Sequence, residues 1–191
     1  TYGGLPLVLS QKTDESKMKY LESQTANVYV NDILERNNIQ SEDDLNSLLE
    51  IVSSSIGSLV NPLKLSNAFK SVAKTSISDK KIKTYLGYLQ EAFIVEKALR
   101  FDIKGKKYMD TPSKYYFTDV GIRNAVLNFR QNEETHIMEN IIYLELKIRG
   151  FNVDVGLIGI REGEEKLYKQ LEIDFVANKG DVKYYIQSAF N

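Results

Sequence analysis

The hydrophobic period of this chain changes at Ile94, and that change limits the folds open to it. From Asp14 to Phe93 apolar residues recur at helical spacing, whereas Ile94 to Phe101 is a β-branched and apolar run of the kind that forms a strand. Met18, Leu21, Thr25, Val28, Ile33 and Leu34 predict one long helix or a broken pair between Asp14 and Arg36. Ser41 reads as the cap of a second helix. Glu42, Asp43 and Asp44 follow in its first turn, where the helix dipole favours negative charge, and Leu45, Leu48, Leu49, Val52 and Ile56 share one face. That helix should end between Gly57 and Asn61, before Pro62. Two more are predicted, Lys64 to Val72 and Asp79 to Ala92, the latter capped by Ser78 and burying Ile82, Tyr85, Leu86, Leu89 and Phe93. A Lys104-Gly105-Lys106 turn and a returning strand at Lys114-Tyr115-Tyr116-Phe117 complete the order helix, helix, helix, hairpin, which is that of a winged helix.

Beyond the hairpin, Asp119 is placed to cap a short helix through Ile122, Ala125, Val126 and Phe129, and a domain boundary is expected between residues 118 and 132. A strong helix from Glu133 to Arg149 should stop at Gly150, which suits a left-handed C-terminal cap. Phe151 to Ile160, Leu171 to Ala177 and Val182 to Gln187 read as strands, the first two joined by a charged loop from Arg161 to Lys166. The expectation is a mixed α and β chain of two compact units, which its 191 residues are long enough to build.

Composition narrows the chemistry. The chain has no cysteine and one histidine, which removes disulfides, cysteine-ligated zinc and a Cys/His dyad, and points to a reducing, cytoplasmic compartment. Ser/His/Asp hydrolysis would depend on His136, which lies on a predicted helix away from any nucleophile-elbow sequence. No apolar run approaches the roughly 18 residues of a membrane span, so no membrane partner is expected. Neither a phosphate loop nor a Gly-x-Gly-x-x-Gly turn is present, so this segment should not hydrolyse ATP by itself. It opens Thr1-Tyr2-Gly3-Gly4-Leu5-Pro6, without an initiator methionine or a signal pattern, and an upstream segment is expected. A net charge of −1 gives the molecule no long-range pull on nucleic acid, so such binding requires a local basic patch.

Glu139, Asp174 and Gln187 stand out by their order along the chain. Metal-dependent nucleases of the restriction-endonuclease-like fold use a helix acid, then an aspartate on a strand, then Glu/Asp-x-Lys on the next strand. The carboxylates hold Mg²⁺ and the lysine orients the attacking water. Here Gln187-Ser188-Ala189 stands where Glu-x-Lys would be, so an amide replaces a metal-binding charge and alanine replaces the lysine. An active nuclease would need a migrated lysine, for which Lys183 and Lys147 are the candidates. Taken singly, Glu139 reads as a helix-surface acid and Asp174 as a polar residue of a half-buried strand.

These segments, together with Tyr2-Gly3-Gly4-Leu5-Pro6, Asp32-Ile33-Leu34-Glu35-Arg36, Ile56-Gly57-Ser58-Leu59, Tyr115 to Arg123, Met138-Glu139-Asn140 and Glu172-Ile173-Asp174-Phe175-Val176, resemble the C-terminal half of a family of bacterial and archaeal AAA-type ATPases. The resemblance spans nearly the whole chain. It implies an ATPase domain upstream, with ATP and Mg²⁺ bound there and no cofactor in this fragment. It further implies residues 1–40 as a helical remnant of the ATPase lid, 41–120 as a winged-helix-like domain, and 121–191 as a truncated restriction-endonuclease-like α/β domain. Glu139 and Asp174 match the family's acidic positions, and Gln187 with a small residue at 189 looks typical of it, which implies a degenerate, non-catalytic site.

The candidate DNA-binding residues are Lys80, Lys81 and Lys83 on the third winged-helix helix and Lys104, Lys106 and Lys107 at the hairpin tip, with Lys70 and Lys74 just upstream. Lysines at a recognition helix and a wing meet phosphates and release counterions. The leading reading is a binding module that contacts DNA or a partner protein beside its own ATPase domain. The rivals are a metal-dependent nuclease and a protein-interaction or oligomerisation element.

Overall fold

A computed structural model of the chain describes residues 1–73, 76–130, 133–162 and 167–189. Helices come first. After a 3-10 turn at Pro6–Val8, α1 (Asp14–Gln24) begins at a capping box in which Thr13 and Ser16 exchange side-chain and backbone bonds. The long-or-broken helix expected from Asp14 to Arg36 is broken: α1 runs into a π-helical turn at Thr25–Val30 before α2 (Asn31–Arg36). The Thr25 hydroxyl sits inside that joint, donating to the Leu21 carbonyl at 2.8 Å.

Next come α3 (Glu42–Ser54), α4 (Pro62–Ala73) and α5 (Asp79–Glu91). Ser41 accepts from the Asp44 amide and Ser78 from the Lys81 amide, so both expected caps are made. Gly57 and Gly150 follow their helices with φ of +72° and +81°, the left-handed conformation that glycine adopts without a Cβ penalty. The inward faces of the three helices merge with Val95, Tyr115 and Phe117 into one apolar core. Phe93, expected on the buried face of α5, is not part of it: the chain leaves the helix there at a positive φ of 54°, which turns the ring outward, 75% exposed.

The hairpin is β1 (Val95–Asp102) and β2 (Lys107–Phe117); α6 (Val120–Val126) and α7 (Glu134–Ile148) follow, then β3 (Asn152–Glu162), β4 (Leu167–Lys179) and β5 (Val182–Ile186). Of the expected Arg161–Lys166 loop, residues 161 and 162 belong to β3 and 163–166 lie outside the described residues. The five strands form a single mixed sheet in the order β2-β1-β3-β4-β5, antiparallel except where Arg100–Asp102 of β1 runs parallel to Val155–Leu157 of β3. That parallel pairing joins the hairpin, read from the sequence with residues 41–120, to the strands read with residues 121–191. The molecule is thus a set of N-terminal helices followed by a five-stranded mixed sheet with helices interspersed. No helix among the described residues is long and apolar enough to cross a membrane.

Alternation along β2 decides which side of the sheet each aromatic faces. Tyr115 and Phe117 enter the helical core, whereas Lys114 and Tyr116 face α7. There Tyr116 stacks on Tyr143 of α7 with ring centroids 4.3 Å apart, and Phe175 of β4 packs beside both.

Candidate functional site

The space between α7 and the sheet also receives charge. Lys114, only 2% exposed, points its ammonium group from β2 towards three carboxylates. It lies 2.9 Å from Glu139 of α7, 2.7 Å from Glu172 and 3.9 Å from Asp174, both on β4. The Tyr116 hydroxyl donates to the same Glu139 oxygen at 2.6 Å. Asp174 Oδ2 accepts from Gln187 Nε2, the Ser188 amide and the Ser188 hydroxyl, at 2.7, 2.8 and 2.7 Å.

Local structure explains why these groups meet. Between Asp154/Val176 and Gly156/Ile173 the β3–β4 register slips by one residue, a β-bulge that sets Asp174 and Phe175 together against Val155. Strict alternation would turn one of them to the far face; with the bulge Asp174 reaches Lys114 while Phe175 still packs on Tyr116. On α7, Glu139 is followed by Asn140, whose side-chain oxygen accepts from the Phe117 amide and whose amide donates to the Phe117 carbonyl, at 2.7 and 2.8 Å. That pair of hydrogen bonds pins the helix to the end of β2 and places Glu139 over Lys114. Gly57 closes the far side, since a Cβ there would lie 3.2 Å from the other Glu139 oxygen.

The expected trio of Glu139, Asp174 and Gln187 is therefore brought together, with Gln187 bonded to Asp174. The reading of the two acids taken singly is corrected: Glu139 is 6% and Asp174 7% exposed, because the bulge and the Asn140 staple turn both inward. The lysine is also not where it was sought. Lys147 pairs with Glu96 at 3.3 Å, and Lys183 lies over the Phe101 ring at 5.2 Å. Lys114 supplies the cation instead. The signal in the sequence was its position, a lysine two residues before Tyr116 in the segment Lys114-Tyr115-Tyr116-Phe117, whose other three members are all buried aromatics.

Burial alone would lower the Lys114 pKa, but Glu139 and Glu172 outweigh it and raise it, so the ammonium form is held. Burial, aided by Glu139, pushes the Tyr116 hydroxyl up and keeps it a donor. A divalent metal does not fit this arrangement, because the ammonium group already takes the position between the carboxylates and three donors saturate one Asp174 oxygen. Among the described residues no group of acids or His136 is disposed to hold a metal ion. His136, half-exposed, faces Glu133 at 3.2 Å.

The candidate DNA-binding lysines are distributed unevenly. Lys80 and Lys83 are exposed on α5, and Lys104, Lys106 and Lys107 are exposed at the hairpin tip, where Lys104 also donates to the Gly159 carbonyl at 2.8 Å. Lys81 is engaged, 2.6 Å from Asp44 at the start of α3 and over the Tyr85 ring. Lys74 lies outside the described residues.

Comparison with known proteins places the chain among proteins of unassigned role. It is 34% identical over 189 residues to an uncharacterized protein of Haemophilus influenzae and 28% identical over 189 residues to the uncharacterized protein MJ1544 of Methanocaldococcus jannaschii. Each match covers 99% of this chain but only 44% and 40% of the relative, so the chain spans less than half the length of these bacterial and archaeal proteins. No solved structure matches it. Residues 1–133, from the glycine-rich start to the end of the segment after α6, match the model of one family, and the chain belongs to that family, described as a domain of unknown function (DUF8612).

Proposed function

We propose that this chain is a binding module of a larger prokaryotic protein, contacting DNA through exposed lysines and carrying a nuclease-like acid cluster that serves as a structural lock. The observation that carries the non-catalytic reading is Lys114, whose ammonium group sits among the carboxylates that would otherwise hold a metal. The order α3, α4, α5, β1, β2 supports the likeness to a winged helix, and the acids on α7 and β4 support the likeness to a restriction-endonuclease-like domain. The relatives' greater length leaves room for the upstream ATPase domain, where ATP and Mg²⁺ would bind in a cytoplasmic protein.

The test has two arms. Fluorescence anisotropy of labelled duplex DNA at several salt concentrations should show affinity that falls steeply with salt and is lost in a Lys80→Glu, Lys83→Glu, Lys106→Glu, Lys107→Glu variant. Incubation of duplex DNA with the protein and Mg²⁺ or Mn²⁺ should leave it intact. Cleavage abolished by Asp174→Asn would establish the nuclease reading instead. A second reading has its own observation: Ile141 and Ile148 of α7 are 46% and 79% exposed along a groove of about 650 Å³ that also takes in Gly3, Gly4 and Leu5. If duplex DNA does not bind at low salt, protein interaction through this groove becomes the favoured function.

A further inference from the structure

The helical core covers one end of the sheet face that lies away from α7; elsewhere that face carries half-exposed aromatic rings. Residues paired across strands share a face, so the register puts Tyr108, Phe101 and Gly156 on one side, with Asp154, Val176 and Tyr185 beside them. Tyr108 and Tyr185 are 58% and 52% exposed, and Tyr108 packs against Phe101 with centroids 5.1 Å apart. This face is concave. Lys183 on β5 lies 5.2 Å from the centre of the Phe101 ring on β1, although β3 and β4 intervene. In a flat sheet three strand spacings would part them by about 14 Å, more than a lysine side chain spans, so the sheet curls towards this side. The floor at Gly156 is filled by its neighbours: a Cβ there would crowd Val176, Ile173 and Ile103 at 2.9, 3.0 and 3.2 Å, and Val176 is fully buried, so only the rings at the edges of this face are open to solvent.

Charge on this face complements a polyanion. Lys183 stands within it, and Lys104 and Lys106 lie at the hairpin tip beyond Phe101, whereas Lys107, paired with Asp102, belongs to the opposite face. Asp154, the acid in the same row, is buried and takes a hydrogen bond from the Tyr108 hydroxyl. That bond holds the Tyr108 ring in place and keeps the carboxylate away from solvent. Rings presented from separate strands of a curved sheet, with lysines around them, have the chemistry of a base-stacking platform. Duplex DNA, whose bases are already stacked on one another, offers such rings nothing.

We propose that this concave face binds single-stranded nucleic acid, with bases stacking on Tyr108 and Tyr185 and phosphates meeting Lys183, Lys104 and Lys106. The tip lysines are shared with the DNA-binding reading and the inference rests on that reading for them; the rings are independent of it.

The experiment measures anisotropy of labelled single strands of about 15 nucleotides, one of oligo-dT, one of oligo-U and one abasic, against the protein and its Tyr108→Ala, Tyr185→Ala, Lys183→Gln and Lys80→Glu/Lys83→Glu variants. Far-UV circular dichroism checks that each is folded. The expected result is binding of oligo-dT or oligo-U, with the preferred sugar naming DNA or RNA. The abasic strand and each tyrosine variant should bind about tenfold more weakly, Lys183→Gln should weaken binding too, and the α5 variant should match the parent. Equal affinity for the abasic strand, or folded tyrosine variants that bind like the parent, overturns the proposal. Duplex binding that is lost in the α5 variant, with no single-strand binding, overturns it while leaving the DNA-binding reading standing. Absence of both kinds of binding removes both. A tyrosine variant that changes the sedimentation mass and not the affinity shows the face to be a contact between copies, and overturns it as well.

Discussion

The helical half of the molecule and the α7-covered face of its sheet are filled in different ways. Around α3, α4 and α5 the buried side chains run from Val30 through Leu48 and Ile82 to Phe117 as a continuous apolar set. Beneath α7 the apolar set is small, chiefly Ala98, Tyr116, Tyr143, Val153, Val155 and Phe175, and the remaining space holds Lys114, Glu139 and Asp174. Hydrophobic burial is roughly proportional to area and indifferent to pH, whereas a buried ion cluster depends on every partner keeping its charge. Two cores in one chain should therefore respond differently to the same perturbation.

Removing the cation should have the largest effect. Lys114→Met leaves Glu139 and Asp174 buried without their counter-charge and should cost about 3–5 kcal/mol, read from urea unfolding. Mn²⁺ or Ca²⁺ should raise the melting temperature of that variant and leave the parent unchanged, because only the variant has a vacant position among the carboxylates. A Lys114→Met, Glu139→Gln double variant should recover much of the loss. If Lys114→Met is as stable as the parent, the cluster is not a lock.

In the helical core, Leu48→Ala should cost about 2–5 kcal/mol, by the same amount at pH 6 and pH 9. A loss that changes with pH would show that the two cores are not separate in kind.

The boundary between them can be probed at Tyr115, which faces the helices one residue away from Lys114. Burial pushes its hydroxyl up to about 12. A folded-state pKa above the ordinary value contributes stability that is whole below pH 10 and is lost as pH rises towards 12. Tyr115→Phe should remove part of the alkaline destabilisation in that window. The remainder belongs to Lys114, Tyr116 and Tyr143, whose pKa values are raised as well.

The smallest effect is expected at Asp154, on the opposite face of the sheet from the lock. Burial raises its pKa, against Tyr108 and Lys147, which lower it, so the ionised form is disfavoured on folding. By the same sign its stabilising share is present at low pH and lost as pH rises through the raised pKa. Asp154→Asn should gain on the order of 0.5 kcal/mol at pH 7, with the gain vanishing below pH 4. A loss at pH 7 would mean that the carboxylate is a better acceptor for Tyr108 than an amide.

The sequence alone determined the elements and their order. Helical spacing from Asp14 to Ala92, the caps Ser41, Ser78 and Asp119, the Gly150 stop and the strand runs all follow from interactions among residues close in the chain, so they could be read from it. It also singled out Glu139, Asp174 and Gln187, through their order on a helix and two successive strands. Tertiary structure alone decided what those residues do. The bulge in β4, the Asn140 staple to Phe117 and the entry of Lys114 from β2 join segments tens of residues apart, and no local pattern encodes which lysine reaches which acid. The parallel pairing of Arg100–Asp102 with Val155–Leu157, which makes one sheet of two apparent units, and the curl that brings Lys183 onto Phe101 are likewise set by backbone pairing between distant strands.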